Sequence, residues 1–413
     1  MGSSPTLKPD TTLTLSSSPP LQALKPEDRG IRLIQLLLTC AAHASSGNLH
    51  RADTCLRYIS QLSSVSGDPM QRLSARFAAS LAVHLVKRWP GLYRALNHAQ
   101  SPKPEPDRTR FLFARAFPYL GFAYAVISRT LLQTMSHERV IHILDLGSGD
   151  PNLWVPLLQS FANMPRGPPH LKITCVSSDK DVLENLGPKL VKQAEALNIP
   201  FQFNPLNASL REITMEMLKV RSGEALALTC VLSLHVLLAE DDCVDTQFGV
   251  NKADRVKGSK QVDHFLAMVQ YMSPKVLLMV EQESDHNLAR LMDRFVEGLY
   301  YYSTVFDSVD ANSGNLSCAK RLAVEEMFGR EIENIVACEG AEREERHERY
   351  VRWMVRFGRA GFKPVRLWYD TMEDAKQLVK SFGSNGYKVL GERGSLMICW
   401  HERPLYAVSA WHC

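Results

Sequence analysis

Apolar residues follow a helical period through the first third of the chain and then change period at Val140. Leu33, Leu37, Cys40, Ala41 and Ala44 share one face of a first helix, which Glu27 and Asp28 open and Ser46-Gly47-Asn48 ends. Ala52, Cys55, Leu56, Ile59 and Leu62 share a face of a second. Asp68-Pro69-Met70-Gln71 has the order of an N-cap, a first-turn proline and a capping-box glutamine. The helix it opens buries Met70, Leu73, Phe77, Leu81 and Leu85 and stops at Trp89-Pro90. A proline-rich linker at 101–107 leads into one more apolar helical stretch over Phe111–Met135. Before all of these, residues 1–25 are rich in Ser, Pro and Thr, a composition that predicts disorder.

From Val140 to Leu146 the run is short, almost wholly apolar and β-branched, as in a parallel strand covered on both faces. Helical spacing returns at Leu153, Trp154, Leu157, Leu158 and Phe161. Strands then alternate with helices: Leu171–Val176, Phe201–Phe203, Ala225–Ser233 and Lys275–Glu281 are the strands. A polar, aperiodic loop at about 243–261 separates the fourth from the fifth, and its polarity predicts mobility. Helices follow over Asn287–Thr304 and Ala319–Arg359, and the tail turns strand-rich at Phe362–Trp368, Tyr387–Leu390, Leu396–Trp400 and Leu405–Trp411. This order predicts an α/β fold: a Rossmann-like, class I methyltransferase-like sheet over 136–413, with a mostly helical N-terminal cap over 26–135.

Charge and composition narrow the function classes. The net charge of +4 is spread along 413 residues, without the basic stripe of a DNA-binding domain. The nine cysteines include no CxxC pair, and several lie in apolar runs, which fits buried thiols in a reducing compartment. No apolar run is long enough to span a bilayer, and the N-terminus lacks the apolar core of a signal peptide.

The sharpest chemical signal is Asp145-Leu146-Gly147-Ser148-Gly149-Asp150, a glycine loop directly after the first strand. In nucleotide-binding α/β folds such glycines let the backbone turn tightly and approach a ligand. Asp145, Gly147, Ser148 and Gly149, with Asp179 after the second strand, are the candidate cofactor residues. The fit is partial. Pro151 stands where a third glycine is common, Ser177 and Ser178 precede the late Asp179, and Asn204-Pro205 follows the third strand rather than the fourth. No catalytic residues or metal cluster stand out. His142, inside an apolar strand, reads as a core histidine. His235 could line a pocket, and Glu281-Gln282-Glu283-Ser284-Asp285-His286 ends the fifth strand, where ligands approach such sheets. The alternating charges of Glu342–Arg349 read as a solvated helix face.

Taken in order, several segments resemble the plant GRAS family of transcriptional regulators. Leu36-Leu37-Leu38-Thr39-Cys40-Ala41 resembles its first leucine-rich region, and Leu232–Leu238 the end of its second. Ile141-His142-Ile143-Leu144-Asp145 resembles its Val-His-Ile-Ile-Asp motif. Pro274-Lys275, Phe295–Tyr302 and Arg330-Glu331 resemble its Pro-Phe-Tyr-Arg-Glu block, and Ser409-Ala410-Trp411 its closing signature. The resemblance covers 26–413 and is greatest to the Scarecrow-like 3 group. It implies a nuclear co-regulator without enzyme activity or cofactor, active in gibberellin responses and root development. It also implies partners, namely zinc-finger DNA-binding transcription factors and other GRAS proteins, with DNA reached only through them. Homo- and heterodimers are both compatible with it. A methyltransferase using S-adenosylmethionine, or a scaffold that senses such a ligand through the glycine loop, remains the alternative.

Overall fold

A computed structural model describes residues 25–98, 106–240, 258–312, 314, 316–383 and 385–413. The disorder expected before Lys25, residues 101–105 of the expected proline-rich linker and the loop over 243–257 lie outside these residues. The C-terminal end of that expected loop is ordered: Ser259 caps a helix that starts at Lys260.

Three helices open the chain: α1 (Pro26–Ser45), α2 (Leu49–Leu62) and α3 (Pro69–Val86). The capping box at α3 forms as its spacing predicts. Asp68 accepts the Gln71 N–H at 2.9 Å, and Gln71 accepts the Asp68 N–H at 3.2 Å. After α4 (Pro90–His98), the single helix expected over Phe111–Met135 is two, α5 (Pro106–Ala116) and α6 (Pro118–Met135). The break falls at Pro118, which cannot donate within a continuing helix and instead takes the first turn of α6.

The parallel half alternates as β1 (Val140–Leu146), α7 (Pro151–Ala162), β2 (His170–Ser177), α8 (Lys180–Ala196), β3 (Phe201–Asn207), α9 (Met215–Leu218), β4 (Ala225–Val231), α10 (Lys260–Met272) and β5 (Val276–Gln282). There follow α11 (Leu291–Ala311), α12 (Cys318–Ala337), α13 (Tyr350–Arg359), β6 (Lys363–Val365), α14 (Tyr369–Ser381), β7 (Tyr387–Glu392), β8 (Ser395–Trp400) and β9 (Arg403–His412). The strand order is β3-β2-β1-β4-β5-β9-β8-β7, with β6 paired to β9. Strands β1 to β5 run parallel, and β9 joins β5 antiparallel, with Leu278 opposite Ala410. The Rossmann-like, methyltransferase-like sheet is therefore present, completed by an antiparallel half.

Both faces of the sheet are covered, as a wholly apolar strand requires. Ile141 and Ile143 join a core with α1–α3, α6–α8, α11 and α12, while Leu144 and Leu146 join one with α10 and α13. The helical layer is not confined to the N-terminal third: α3 packs on α11 and α12, and α1 on α11. Arg72 of α3 ties these helices together, with ion pairs at 2.8 Å to Glu325 and to Asp310.

Two expectations for the tail fail for local reasons. The helix expected over Ala319–Arg359 stops at Ala337, and an irregular segment runs to Arg349 before α13. Cys338 turns extended at φ −99° and ψ 153°, which ends the helix, and Gly340 follows at φ +55°. Arg343, Arg346, His347 and Glu348 of this segment are buried, so the expected solvated helix face is an internal strut. The strand expected over Phe362–Trp368 shrinks to β6, and α14 follows unpredicted. Only Thr371, Ala375 and Val379 of α14 are buried, too few large apolar positions to mark a helix in sequence.

Candidate functional site

The glycine loop leaves β1 at the boundary with β4, the switch point where ligands enter open α/β sheets. Its geometry is turned inward. Asp145 is fully buried, and its carboxylate accepts the Ser148 N–H at 3.1 Å, the Ser148 hydroxyl at 2.6 Å and the Gly149 N–H at 3.0 Å. The Trp154 indole N–H adds a fourth bond at 2.8 Å, and the Thr229 hydroxyl a longer one at 3.4 Å. The backbone donors that would cradle a phosphate or carboxylate thus hold the protein's own aspartate.

The glycines are needed for this closure. Gly147 has φ +105°, and a Cβ there would lie 2.7 Å from the Val231 carbonyl oxygen and 2.8 Å from Ser233 Cβ. Gly149 has φ +51°, and a Cβ would meet Val182 Cγ1 at 2.5 Å. Ser233 crosses the switch point and donates to the Leu146 carbonyl at 2.8 Å. Leu232 beside it holds φ +52°, a left-handed conformation that costs about 1 kcal/mol or more for a branched side chain. Asp150 caps α7 and accepts the Tyr124 hydroxyl at 2.8 Å. Asp179, the expected ribose holder, caps α8 through the Asp181 N–H at 2.9 Å. Asp145, Gly147, Ser148 and Gly149 therefore come together, and Asp179 serves a separate helix end.

His142 lies within β1, in register with Lys172 and Leu226 rather than at the C-terminal edge. It bonds Glu224 at 2.9 Å and Thr174 at 2.8 Å. Burial, with Lys172 nearby, pushes it down to about 4 despite the Glu224 carboxylate, so it is a neutral core group at pH 7.

A second cluster lies at the C-terminal edge of β4 and β5. Glu281, in β5 and almost fully buried, accepts the backbone N–H groups of Leu234 at 2.8 Å and His235 at 3.2 Å. Its other oxygen bonds His235 Nδ1 at 2.8 Å. His235 Nε2 faces Glu345 at 3.3 Å, and His347 Nε2 faces the same oxygen at 2.9 Å. Burial alone would lower His235, but Glu281 and Glu345 outweigh it and push it up to about 10. Burial likewise opposes ionisation of Glu281, yet His235 and His347 pull it down to about 2. His286 stacks on Tyr302 with ring centroids 5.6 Å apart, and Glu331 accepts from Tyr302 and Gln282 at 2.9 Å each. Burial, then Glu345, raises Glu331 to about 7.

These contacts gather motif segments that are far apart in the chain. His235 and Glu331 reach one neighbourhood, whereas Arg330 beside Glu331 is only half-buried. Ser409, Ala410 and Trp411 lie in β9, where the Trp411 indole donates to Ser409 at 2.9 Å and stacks on Phe357 at 4.5 Å. Glu345 and His347 were missed in sequence because their charge alternation mimics an exposed helix. The available signal was Gly340 just before them and the lack of apolar residues at helical spacing. A separate cavity of about 680 Å³, lined by Tyr300, Asp307, Arg349, Trp400 and Arg403, opens beside α11 and the β8–β9 turn.

The GRAS domain family model matches residues 33–412. The chain belongs to the GRAS family. It is 42% identical to Scarecrow-like protein 3 of Arabidopsis thaliana, an alignment covering 97% of this chain and 93% of that one. Scarecrow-like transcription factor PAT1 of the same plant is 35% identical over 91% of this chain and 75% of its own length. DELLA protein RGL1, also from Arabidopsis thaliana, is 32% identical over 96% and 73%. The crystal structure of SCL7 in Oryza sativa superposes with a TM-score of 0.74 at 27% identity, covering 92% of this chain and 99% of that chain. These relatives place the chain among plant transcription regulators. Among the described residues no helix is long and apolar enough to cross a membrane.

Proposed function

We propose that this GRAS protein is a nuclear transcriptional co-regulator that acts through protein partners in gibberellin responses and root development. The observation that carries this reading is the occupied cofactor loop: Asp145 accepts both the Ser148 and Gly149 N–H groups. Donors satisfied within the loop add rigidity, as a scaffold requires, and leave fewer groups free to hold a cofactor. The 42% identity to Scarecrow-like protein 3 and the kinship to DELLA protein RGL1 support the regulatory and gibberellin parts. The proposed partners are zinc-finger DNA-binding transcription factors and other GRAS proteins. The net charge of +4 supports indirect contact with DNA, because sequence readout needs a basic element at the groove.

A mobility-shift assay tests this directly. The purified chain alone should leave a labelled promoter fragment unshifted, and should add a slower band when a zinc-finger protein already occupies it. Tight, sequence-specific binding by the chain alone would overturn the mechanism. S-adenosylmethionine should leave the melting temperature unchanged. A side chain added at Gly149 would collide with Val182 and disturb the fold rather than report on a pocket. Asp145→Asn probes it instead.

A further inference from the structure

We propose that His235, Glu345 and His347 form a binding site for a divalent transition-metal ion, with zinc the best match. The three side chains offer one ligand atom each, and those atoms lie within 4.8 Å of one another. Glu345 Oε2 is 3.3 Å from His235 Nε2 and 2.9 Å from His347 Nε2. A tetrahedral zinc with bonds of about 2.0–2.1 Å sets its ligand atoms roughly 3.3 Å apart, so these edges need little adjustment. Two imidazoles and one carboxylate are a zinc donor set that leaves the fourth position to water, and zinc entering displaces the Nε2 proton of His235 to solvent.

A second observation points the same way. His347 is 1% exposed, and its ring nitrogens meet only carboxylates, Glu345 Oε2 at 2.9 Å from Nε2 and Glu281 Oε2 at 3.7 Å from Nδ1, neither in good hydrogen-bond alignment. A buried imidazole whose partners are poorly aligned is better satisfied when another species meets its lone pair. The outer shell is also built. His235 Nδ1 bonds Glu281 Oε2 at 2.8 Å, which turns Nε2 towards Glu345. That is the carboxylate–histidine–metal arrangement, in which the outer carboxylate fixes the ring and raises its basicity. Glu281 is itself fixed by the Leu234 and His235 N–H groups. Glu345 keeps a quarter of its side-chain surface exposed and provides the entry path. Among the neighbouring cations, Arg346 bonds Asn287 and the Gly340 carbonyl, and Arg343 the His286 and Leu288 carbonyls. A bound ion would fasten the strut after α12 to the turn after β4.

The test uses the full chain without an affinity tag, stripped with a chelator and titrated with zinc by calorimetry. One equivalent should bind. Glu281→Gln should weaken binding by about 10–100-fold, Glu345→Gln by more, and exposed His50→Ala should leave it unchanged. Cobalt should give the intense visible bands of a four-coordinate site, and X-ray absorption of the zinc-loaded wild type should show imidazole scattering at about 2.0 Å. The wild-type spectra decide the matter even where a variant misfolds. Absence of stoichiometric zinc binding, equal affinity in a folded Glu345→Gln, or zinc spectra without imidazole would overturn the site and leave a plain charge network.

Discussion

Asp145→Asn separates a closed structural loop from a ligand-binding one. The substitution keeps the side-chain volume and replaces one carboxylate oxygen with an NH2 group. On the Oδ2 side that group would face the Ser148 hydroxyl, Gly149 N–H and Trp154 indole donors. It therefore turns to the Oδ1 side, where it confronts the Ser148 N–H, and the Thr229 hydroxyl can rotate to accept from it. One buried N–H is left unpaired, at about 1–3 kcal/mol. The remaining bonds lose charge assistance, which roughly halves each. The lower burial cost of a neutral amide offsets part of this, and a net loss of about 3 kcal/mol remains. With an unfolding entropy of about 2 cal/mol/K per residue, a domain of this size should melt roughly 4 °C lower. Scanning fluorimetry of both proteins, with and without about 1 mM S-adenosylmethionine, reads the result. The expected pattern is a lower melting point for Asp145→Asn and no ligand response in either protein. The reasoning fails if Asp145→Asn melts with the wild type while the ligand stabilises only the wild type, because the carboxylate would then serve a ligand.

Three other outcomes test the packing and charge assignments. Arg72→Met should cost about 3–5 kcal/mol in urea unfolding by stranding buried Glu325, and Arg72→Met with Glu325→Leu should recover much of it; an additive double variant would contradict the pairing. Trp411→Ala should cost about 3–5 kcal/mol through loss of the Phe357 stack and its cavity, and a cost near zero would show that β9 tolerates the gap. Burial raises Glu283 from 4.5 to about 7, against the Tyr350 N–H and Arg349 and with Glu392 and Asp285 adding to the rise. The folded protein therefore holds this proton more tightly than the unfolded chain, and the associated stability is lost as pH rises from 4.5 through 7. Glu283→Gln should gain melting temperature relative to wild type across that interval, and a difference independent of pH would refute the assignment.

Local periodicity determined much of this protein. The apolar run at Val140–Leu146, the capping box at Asp68 and the spacing of the later strands are short-range patterns, and each marks its element. The GRAS blocks were legible for the same reason, since each is contiguous. Tertiary structure decided how those blocks are placed. Asp145 and the glycines are as compatible with an open cofactor loop as with a closed one. The choice rests on Trp154, Ser233 and Val182, which reach the loop only once α7, β4 and α8 pack around it. Likewise, Glu342–Arg349 has the charges of an exposed helix, and only folding places His347 against His235, more than a hundred residues away. Burial of a charged residue depends on partners that are distant in sequence, so no local pattern carries it.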